Sequence, residues 1–327
     1  MKNKKRCLFL AVALLWVTAS SATAQGINDL AGKRILILGD SITASGAYIS
    51  AFDYLLNKYH VDKNFEVIPM GLSSETVSGL SEKKHPFPRP CIHTRLDNVL
   101  AMTKPDVVFA CYGMNDGIYH PQSPERMKAY QDGTRKLLAK CKKAGAKVVL
   151  LTPPPFDPTM KPDKLADADA PDFSYMRPYK NYDDVLRDYA NWVNKDLKDD
   201  ALLAVVDFHG PLSAYFQERR KADPAYRSGD SIHPKADGHY LMAKKMYEAF
   251  GGKLPADLNT KSIEQQHATV TSDPLYKLVD ERRKTRSSGW MPFVGYTRGK
   301  TVKKDSMDDA KEKDSQLTKQ INELRSK

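Results

Sequence analysis

The clearest indication of the fold is the segment Ile35-Leu36-Ile37-Leu38-Gly39-Asp40-Ser41-Ile42-Thr43. Its first four residues form an apolar run without polar alternation, which is typical of a strand buried on both faces of a parallel sheet. The run ends at Gly39, and Ser41 is therefore placed beyond the carboxyl end of a strand, where open α/β sheets bind ligands. Taken alone, Gly-Asp-Ser also fits a turn in which Ser41 or Thr43 caps the next helix.

Four further apolar runs alternate with segments of helical periodicity. The runs cover residues 65–69, 106–112, 147–152 and 202–206, and the helical segments cover about 45–59, 92–102, 124–144, 181–197 and 236–250. Alternating strands and helices predict a five-stranded parallel sheet with helices on both faces.

Length and charge limit the classes of protein to which the chain can belong. A chain of 327 residues with 41% hydrophobic residues can bury a large core. The net charge of +11 is concentrated in the segments 1–24 and 253–327. Because the body of the chain carries only a small positive excess, we predict no binding of nucleic acid.

The N-terminal segment 1–24 has the layout of a cleavable export signal. Basic residues precede a short apolar run, and Ala22-Thr23-Ala24 stands before the predicted cleavage point. We therefore expect a soluble protein of the periplasm or the extracellular space, without a stable membrane anchor. Cys91, Cys111 and Cys141 remain after cleavage, so one internal disulfide at most is possible.

The chain is predicted to divide into the signal at 1–24, a catalytic domain at 25–252 and a partly helical extension at 253–327. The proline-rich residues 153–178 read as a long surface loop. In the extension, Leu275, Leu278 and Val279 mark a short amphipathic helix. A stripe from Met307 to Leu324 favours a helix that packs on its own domain over a coiled-coil dimer. The apolar Trp290, Phe293 and Tyr296 are expected to dock on another part of the protein.

Four segments that follow strands carry complementary chemistry. A serine nucleophile needs a histidine base, a carboxylate to orient that base, and donors for the oxyanion. Asp230 and His233 are three residues apart in a short turn, and Gly71 and Asn115 offer a backbone N–H and a side-chain amide. Each has an ordinary structural reading as a turn or cap residue. Their convergence on one edge of the predicted sheet favours an active site around Ser41.

The same residues resemble, in order and spacing, the four motif blocks of the SGNH (GDSL-like) hydrolases. The blocks are Gly39-Asp40-Ser41-Ile42-Thr43, Gly71, Gly113-Met114-Asn115-Asp116 and Asp230-Ser231-Ile232-His233-Pro234, and the resemblance spans about residues 33–250. It implies a flavodoxin-like α/β/α sandwich with Ser41, Asp230 and His233 as the catalytic triad. It also implies an oxyanion hole from the backbone of Ser41, Gly71 and the side chain of Asn115. The second block lacks a glycine that the family often has there.

The stretch from Cys111 to Tyr119, together with the basic extension, looks like an exported bacterial subgroup associated with carbohydrate deacetylation. This implies a carboxylic ester hydrolase that removes short acyl groups, chiefly acetyl, from polysaccharides or oligosaccharides. Tyr112, Tyr119 and His120 are expected near the cleft, either as candidate sugar contacts or as ordinary rim residues. No cofactor or metal is expected, because the eight histidines form no His-Glu-x-x-His pattern. The alternatives are a lipase, lysophospholipase or thioesterase of the same family, and a non-catalytic carbohydrate-binding protein on the same fold.

Overall fold

The structure, a computed structural model, describes residues 26–295 and 306–326. The predicted export signal and Tyr296 lie outside the described residues. The core is one parallel sheet in the order β2-β1-β3-β4-β5. Its strands are β1 (Arg34–Gly39), β2 (Glu66–Gly71), β3 (Val107–Cys111), β4 (Lys147–Leu151) and β5 (Leu202–Val206).

Eleven α-helices surround the sheet in the described part of the chain. They are α1 (Ser41–Ser45), α2 (Ala47–Tyr59), α3 (Leu96–Thr103), α4 (Pro124–Lys143), α5 (Tyr182–Asn191), α6 (His209–Ala222), α7 (Ala236–Ala249), α8 (Ala256–Asn259), α9 (Ile263–Ser272), α10 (Pro274–Phe293) and α11 (Met307–Arg325). Helices cover both faces of the sheet, which confirms the predicted α/β/α sandwich.

The central strand has the environment that its sequence predicts. The side chains from Ile35 to Leu38 are fully buried, and β1 pairs in parallel with both β2 and β3. Gly39 lies level with Gly71 on one side and with Cys111 on the other. The three strands therefore end together, and the segments that follow them meet at one edge of the sheet.

Two helical predictions need correction, and one further helix lies where none was predicted. The segment predicted as one helix over 45–59 is preceded by the short α1 and separated from it by Gly46, whose positive φ of 76° ends that helix. The helix α6, at residues 209–222, was not predicted. The helix marked by Leu275 and Val279 is not short, because α10 continues for 20 residues.

The C-terminal helices pack on the same sheet sandwich. Helix α10 contacts α2 and β2, and α11 lies along α10. The buried guanidinium of Arg282 pairs with Asp53 of α2 at 3.0 Å. Arg325, at the end of α11, donates to the backbone carbonyls of His60 and Lys63. These contacts join α10 and α11 to α2 and β2, while the domain boundary at residue 252 stays a prediction.

Two expectations from the sequence concern the membrane and the cysteines. Across residues 26–295 and 306–326, no helix combines the length and hydropathy needed to cross a membrane. Cys91, Cys111 and Cys141 are free thiols, the last two buried.

Candidate active site

The side chains of Ser41, His233 and Asp230 form a continuous chain of hydrogen bonds. The Ser41 hydroxyl lies 2.8 Å from Nε2 of His233, and Nδ1 of His233 lies 3.0 Å from Oδ2 of Asp230. With Nδ1–H donating to the carboxylate, Nε2 is left as the acceptor of the serine proton. This is the arrangement that a nucleophile, a base and an orienting carboxylate require.

A tight turn before α7 holds the acid and the base together. The backbone N–H of Asp230 donates to the carbonyl of His233, and the His233 N–H donates to Oδ1 of Asp230 at 2.8 Å. Gly229 is required because a Cβ there would lie 1.9 Å from the carbonyl oxygen of His233. Ser231 adopts a positive φ of 90°, a strained value for a residue other than glycine. The turn therefore fixes the imidazole relative to the sheet edge.

The nucleophile is positioned by the start of α1. Asp40 caps this helix by accepting from the N–H of Ile42 at 2.9 Å, which leaves Ser41 as the first helical residue. Burial raises the pKa of the Asp40 carboxyl to about 7. Its hydrogen bond to Ile42 makes Asp40 part of the turn, and the proton chain from Ser41 runs through His233 instead.

The amide of Asn115 is held in a defined orientation beside Ser41. Its Nδ2 donates to the carbonyl of Glu75 at 3.2 Å, and its Oδ1 accepts from the Tyr119 hydroxyl at 3.0 Å. Asp116 anchors the same turn by accepting from the N–H groups of Gly113, Val77 and Ser78. Contacts at both the nitrogen and the oxygen of the Asn115 amide thus fix its orientation.

Gly71 has a packing role in this structure. A Cβ at Gly71 would lie 2.3 Å from the backbone nitrogen of Ala44 and 2.5 Å from the carbonyl carbon of Thr43, so glycine allows β2 to approach α1. The segment that lines the pocket beside Ser41 is instead Ser73–Ser74. Ser74 has a positive φ of 70°, a conformation that glycine adopts more readily than serine.

The three predicted sugar contacts lie in different places. Tyr119 lines the pocket, although its side chain is only 1% exposed. Tyr112 is buried and donates to Oε2 of Glu75 at 2.7 Å, and His120 stands against the ring of Phe173. Neither Tyr112 nor His120 is among the residues that line the pocket.

The pairing of Asp230 with His233 makes the imidazole a stronger base. The hydrogen bond to Asp230 raises the pKa of His233, and burial only partly opposes this rise. Burial tends to raise the pKa of Asp230, but the hydrogen bonds from the side chain and backbone of His233 outweigh it and lower that pKa. Asp230 is therefore ionised wherever His233 titrates.

The triad opens into a cleft of about 410 Å³, here called the nucleophile pocket. Its walls carry Ser41, Asn115 and His233 on one side and His85, Phe87 and Tyr175 on another. The ring of His85 lies 5.5 Å from that of Tyr175, and Lys84 pairs with Asp172. The loops that contain residues 84–87 and 172–175 thus meet at the pocket. In residues 26–295 and 306–326, no group of three or more metal-ligating side chains is found.

Comparison with known proteins identifies the family. Residues 37–241, more than half of the chain, match the model of the GDSL-like lipase/acylhydrolase family. The chain belongs to this family. The matched range contains the four segments that meet at the pocket, from Ser41 to His233.

Solved structures share the fold of this GDSL-like protein. A gut microbial diltiazem-metabolizing enzyme superposes with a TM-score of 0.50 at 21% identity, covering 68% of this chain and 47% of the other. The chain thus spans about half the length of that enzyme. Axe2, an acetylxylan esterase from Geobacillus stearothermophilus, gives a TM-score of 0.46 at 21% identity, covering 70% of this chain and 97% of the other. LAE5, an α/β hydrolase enzyme from the metagenome of Lake Arreo in Spain, gives 0.46 at 23% identity, covering 68% and 96%. No curated protein matches the chain.

Two residues that support the site of this GDSL-like protein belong to none of its sequence motifs. Glu75, fully buried, pairs with the guanidinium of Arg95 through both carboxylate oxygens at 2.7 Å. The Glu75 carbonyl in turn accepts from Asn115. No local sequence signal indicates this pair, because its members are well separated along the chain and lie outside any periodic pattern. The pair is recognised only in the three-dimensional structure, where both charged side chains are buried.

Proposed function

We propose that this protein is an exported serine esterase that removes acetyl groups from polysaccharides or oligosaccharides. The observation that carries the proposal is the 2.8 Å contact between the Ser41 hydroxyl and Nε2 of His233, backed by Asp230. Membership of the GDSL-like family, whose model matches residues 37–241, supports ester hydrolysis. Export rests on the sequence of the N-terminal segment 1–24.

The reaction begins when Nε2 of His233 takes the Ser41 proton while the serine oxygen attacks the ester carbonyl. The imidazolium, stabilised by Asp230, then gives this proton to the leaving sugar hydroxyl, and an acetyl-serine forms. Water enters, gives its proton to His233 and attacks the acetyl carbon. Acetate leaves, and the proton returns to Ser41.

Three donors are proposed to stabilise the oxyanion of each tetrahedral intermediate. The Asn115 amide and the backbone N–H of Ser41 are two of them. We assign the third to the backbone of Ser73–Ser74 in place of Gly71, because that segment lines the nucleophile pocket and Gly71 packs against α1.

The lining of the nucleophile pocket favours a short acyl group on a polar carrier. Apart from Pro86, Ile232 is the only aliphatic side chain among the described residues that line it. A long acyl chain would therefore find few aliphatic partners. Serine hydroxyls and the rings of His85, Phe87 and Tyr175 offer hydrogen bonds and flat apolar faces, which suit a sugar.

The test is acetate release from acetylated xylan, mannan, pectin and chitin fragments by the wild-type chain and by Ser41→Ala. We expect release from at least one carbohydrate and none above background with Ser41→Ala. Faster hydrolysis of long-chain acyl esters than of acetyl esters would favour a lipase, lysophospholipase or thioesterase. Binding of carbohydrate without any ester hydrolysis would favour the non-catalytic alternative.

A further inference from the structure

A second pocket of about 320 Å³, here called the outer pocket, adjoins the candidate active site. It shares Tyr175 and Ile232 with the nucleophile pocket, and Asp230 also contributes to its wall. A ligand bound at Ser41 can therefore extend past Tyr175 into the outer pocket. Each pocket is within the size range of sites for small ligands, so the two together suit a chain of more than one sugar.

The outer pocket combines apolar faces with two ammonium groups. Phe156, Tyr175 and Pro178 contribute apolar surface, and Lys161 and Lys164 stand at the exposed edge. Within the described ranges, neither lysine forms an ion pair with a carboxylate. The carboxylate that faces the pocket, Asp230, is already bound to His233. The outer pocket is thus left with a positive excess.

The two lysines stand on a fixed backbone. Asp157, which caps the short turn Pro158–Met160, is buried and pairs with Arg220 at 2.6 Å. The carbonyl of Met160, next to Lys161, accepts from the Arg227 guanidinium, which brings a third cation to this segment. Asp163 is exposed and does not line the pocket. Because the backbone is fixed, these lysines lose less entropy when they bind an anion than lysines on a mobile loop would.

We propose that the outer pocket binds the carboxylate of a uronic acid, so that the substrate is an acetylated acidic oligosaccharide. This inference rests on the proposed function, because it places the acetylated sugar at Ser41 and an acidic neighbour beyond Tyr175. The sugar ring covers the apolar faces of the pocket, and its carboxylate pairs with Lys161 and Lys164. Ion pairs at an exposed edge are modest in strength and weaken with salt.

The first experiment compares kcat/KM for acetate release from acetylated oligogalacturonides and from the same oligomers with their carboxylates capped as methyl esters. At low salt the wild-type chain should prefer the free acid by about 10-fold, and the preference should shrink at high salt. Equal rates on both substrates at low salt would overturn the inference while leaving the esterase proposal intact.

The second experiment uses the double variant Lys161→Ala/Lys164→Ala. The preference for the free acid should fall by about 5-fold or more. Lys142→Ala/Lys143→Ala, two exposed lysines at the end of α4, is the matched control and should keep the wild-type preference. An unchanged preference in the outer-pocket variant would refute the role of the two lysines.

A binding measurement separates failure of this inference from failure of the proposed function. Calorimetry with unacetylated tetragalacturonate needs no catalysis, and the wild-type chain should bind it more tightly than the Lys161→Ala/Lys164→Ala variant. Absence of binding would overturn the acidic subsite, even if acetate is released from neutral carbohydrates. Binding without any ester hydrolysis would instead overturn the proposed function alone.

Discussion

At the scale of single residues, the protonation state of His233 controls the proposed reaction. The imidazole must be neutral to accept the Ser41 proton, and its pKa is raised chiefly by the hydrogen bond that it donates to Asp230. The neutral form therefore accumulates only as the pH rises through this raised pKa. We expect kcat/KM to increase with pH over that range.

Replacing Asp230 by Asn should change both the pH profile and the rate. The substitution removes the negative charge that raises the pKa of His233, so the acid limb of kcat/KM should move to lower pH. The rate should fall by about 10²- to 10⁴-fold, because the imidazole loses its orienting carboxylate. Hydrolysis of 4-nitrophenyl acetate from about pH 5 to about pH 9 measures both effects. An acid limb that moves to higher pH would contradict this role of Asp230.

Asn115→Ala should lower kcat by about 10²- to 10³-fold with little change in KM, because an oxyanion donor acts mainly in the transition state. Tyr119→Phe is the matched control. It removes only the hydroxyl that donates to Asn115 and keeps the ring stacked on Tyr182 at 4.8 Å. We expect a loss of about 10-fold or less for Tyr119→Phe. Steady-state kinetics on 4-nitrophenyl acetate give kcat and KM for both variants. A rise in KM at unchanged kcat for Asn115→Ala would exclude the donor role.

The sequence could predict which residues come together, but not the backbone conformation or the side-chain orientation of each one. Ser41 and Asn115 follow adjacent parallel strands, whose carboxyl ends must share one edge of the sheet. The positive φ of Ser74 and the inward orientation of Tyr112 depend on contacts with distant segments. Short motifs carry no information about such contacts.

At the scale of secondary-structure elements, the Glu75–Arg95 ion pair joins the segment after β2 to the start of α3. Arg95 also donates to the carbonyl of Met70 at the end of β2, and both charged side chains are almost fully buried. Because the Glu75 carbonyl holds Asn115, this ion pair links the stability of the loop to the geometry of the proposed oxyanion hole.

Glu75→Ala should lower the free energy of unfolding by about 3–5 kcal/mol, since it leaves the buried guanidinium of Arg95 without its carboxylate. Adding Arg95→Met should recover part of the loss, because the isolated charge is then gone. Urea unfolding followed by circular dichroism measures both changes. Lys128→Ala, which breaks the exposed Lys128–Asp132 pair on α4, should leave the urea midpoint unchanged. A midpoint equally unaffected by Glu75→Ala would rule out the structural role of the pair.

The strands were easier to predict than the helices for a physical reason. A strand buried on both faces needs an unbroken apolar run, and all five strands have such a run, although the edge strand β5 is only partly buried. Helix α6 lacks a clear apolar stripe: only His209, Leu212 and Phe216 are buried along its 14 residues. Helix α10 buries Arg282, Arg283 and Arg286, which as charged residues indicate an exposed helix in the sequence.

In the whole molecule, helix α10 packs on α2 and β2. Helix α2 in turn contacts α1, the helix that begins with Ser41. Asp53 of α2 is buried and paired with Arg282, so it would be left as an unpaired charge without α10. The predicted division at residue 252 therefore separates two segments that share buried contacts.

A chain that ends at Gly252 should fail to fold, because it exposes the apolar face of α2 and leaves the carboxylate of Asp53 without the guanidinium of Arg282. A chain that ends at Gly295 keeps Arg282 and the whole of α10 but loses α11, so it is the matched control and should fold with a reduced Tm. Soluble yield and thermal unfolding followed by circular dichroism distinguish the two. A native Tm for the chain that ends at Gly252 would show that residues 253–327 are dispensable for the fold.

Covalent labelling with a fluorophosphonate, followed by mass spectrometry of the digested protein, tests whether Ser41 is the nucleophile. Ser41, activated by His233, should gain a single adduct on the peptide that contains it, and Ser41→Ala should gain none. Ser73 and Ser74 line the same pocket and serve as internal controls, because neither has a histidine within hydrogen-bonding distance in the described residues. An adduct on Ser73 or Ser74, or a wild-type chain that stays unlabelled, would contradict the assignment of Ser41 as the nucleophile.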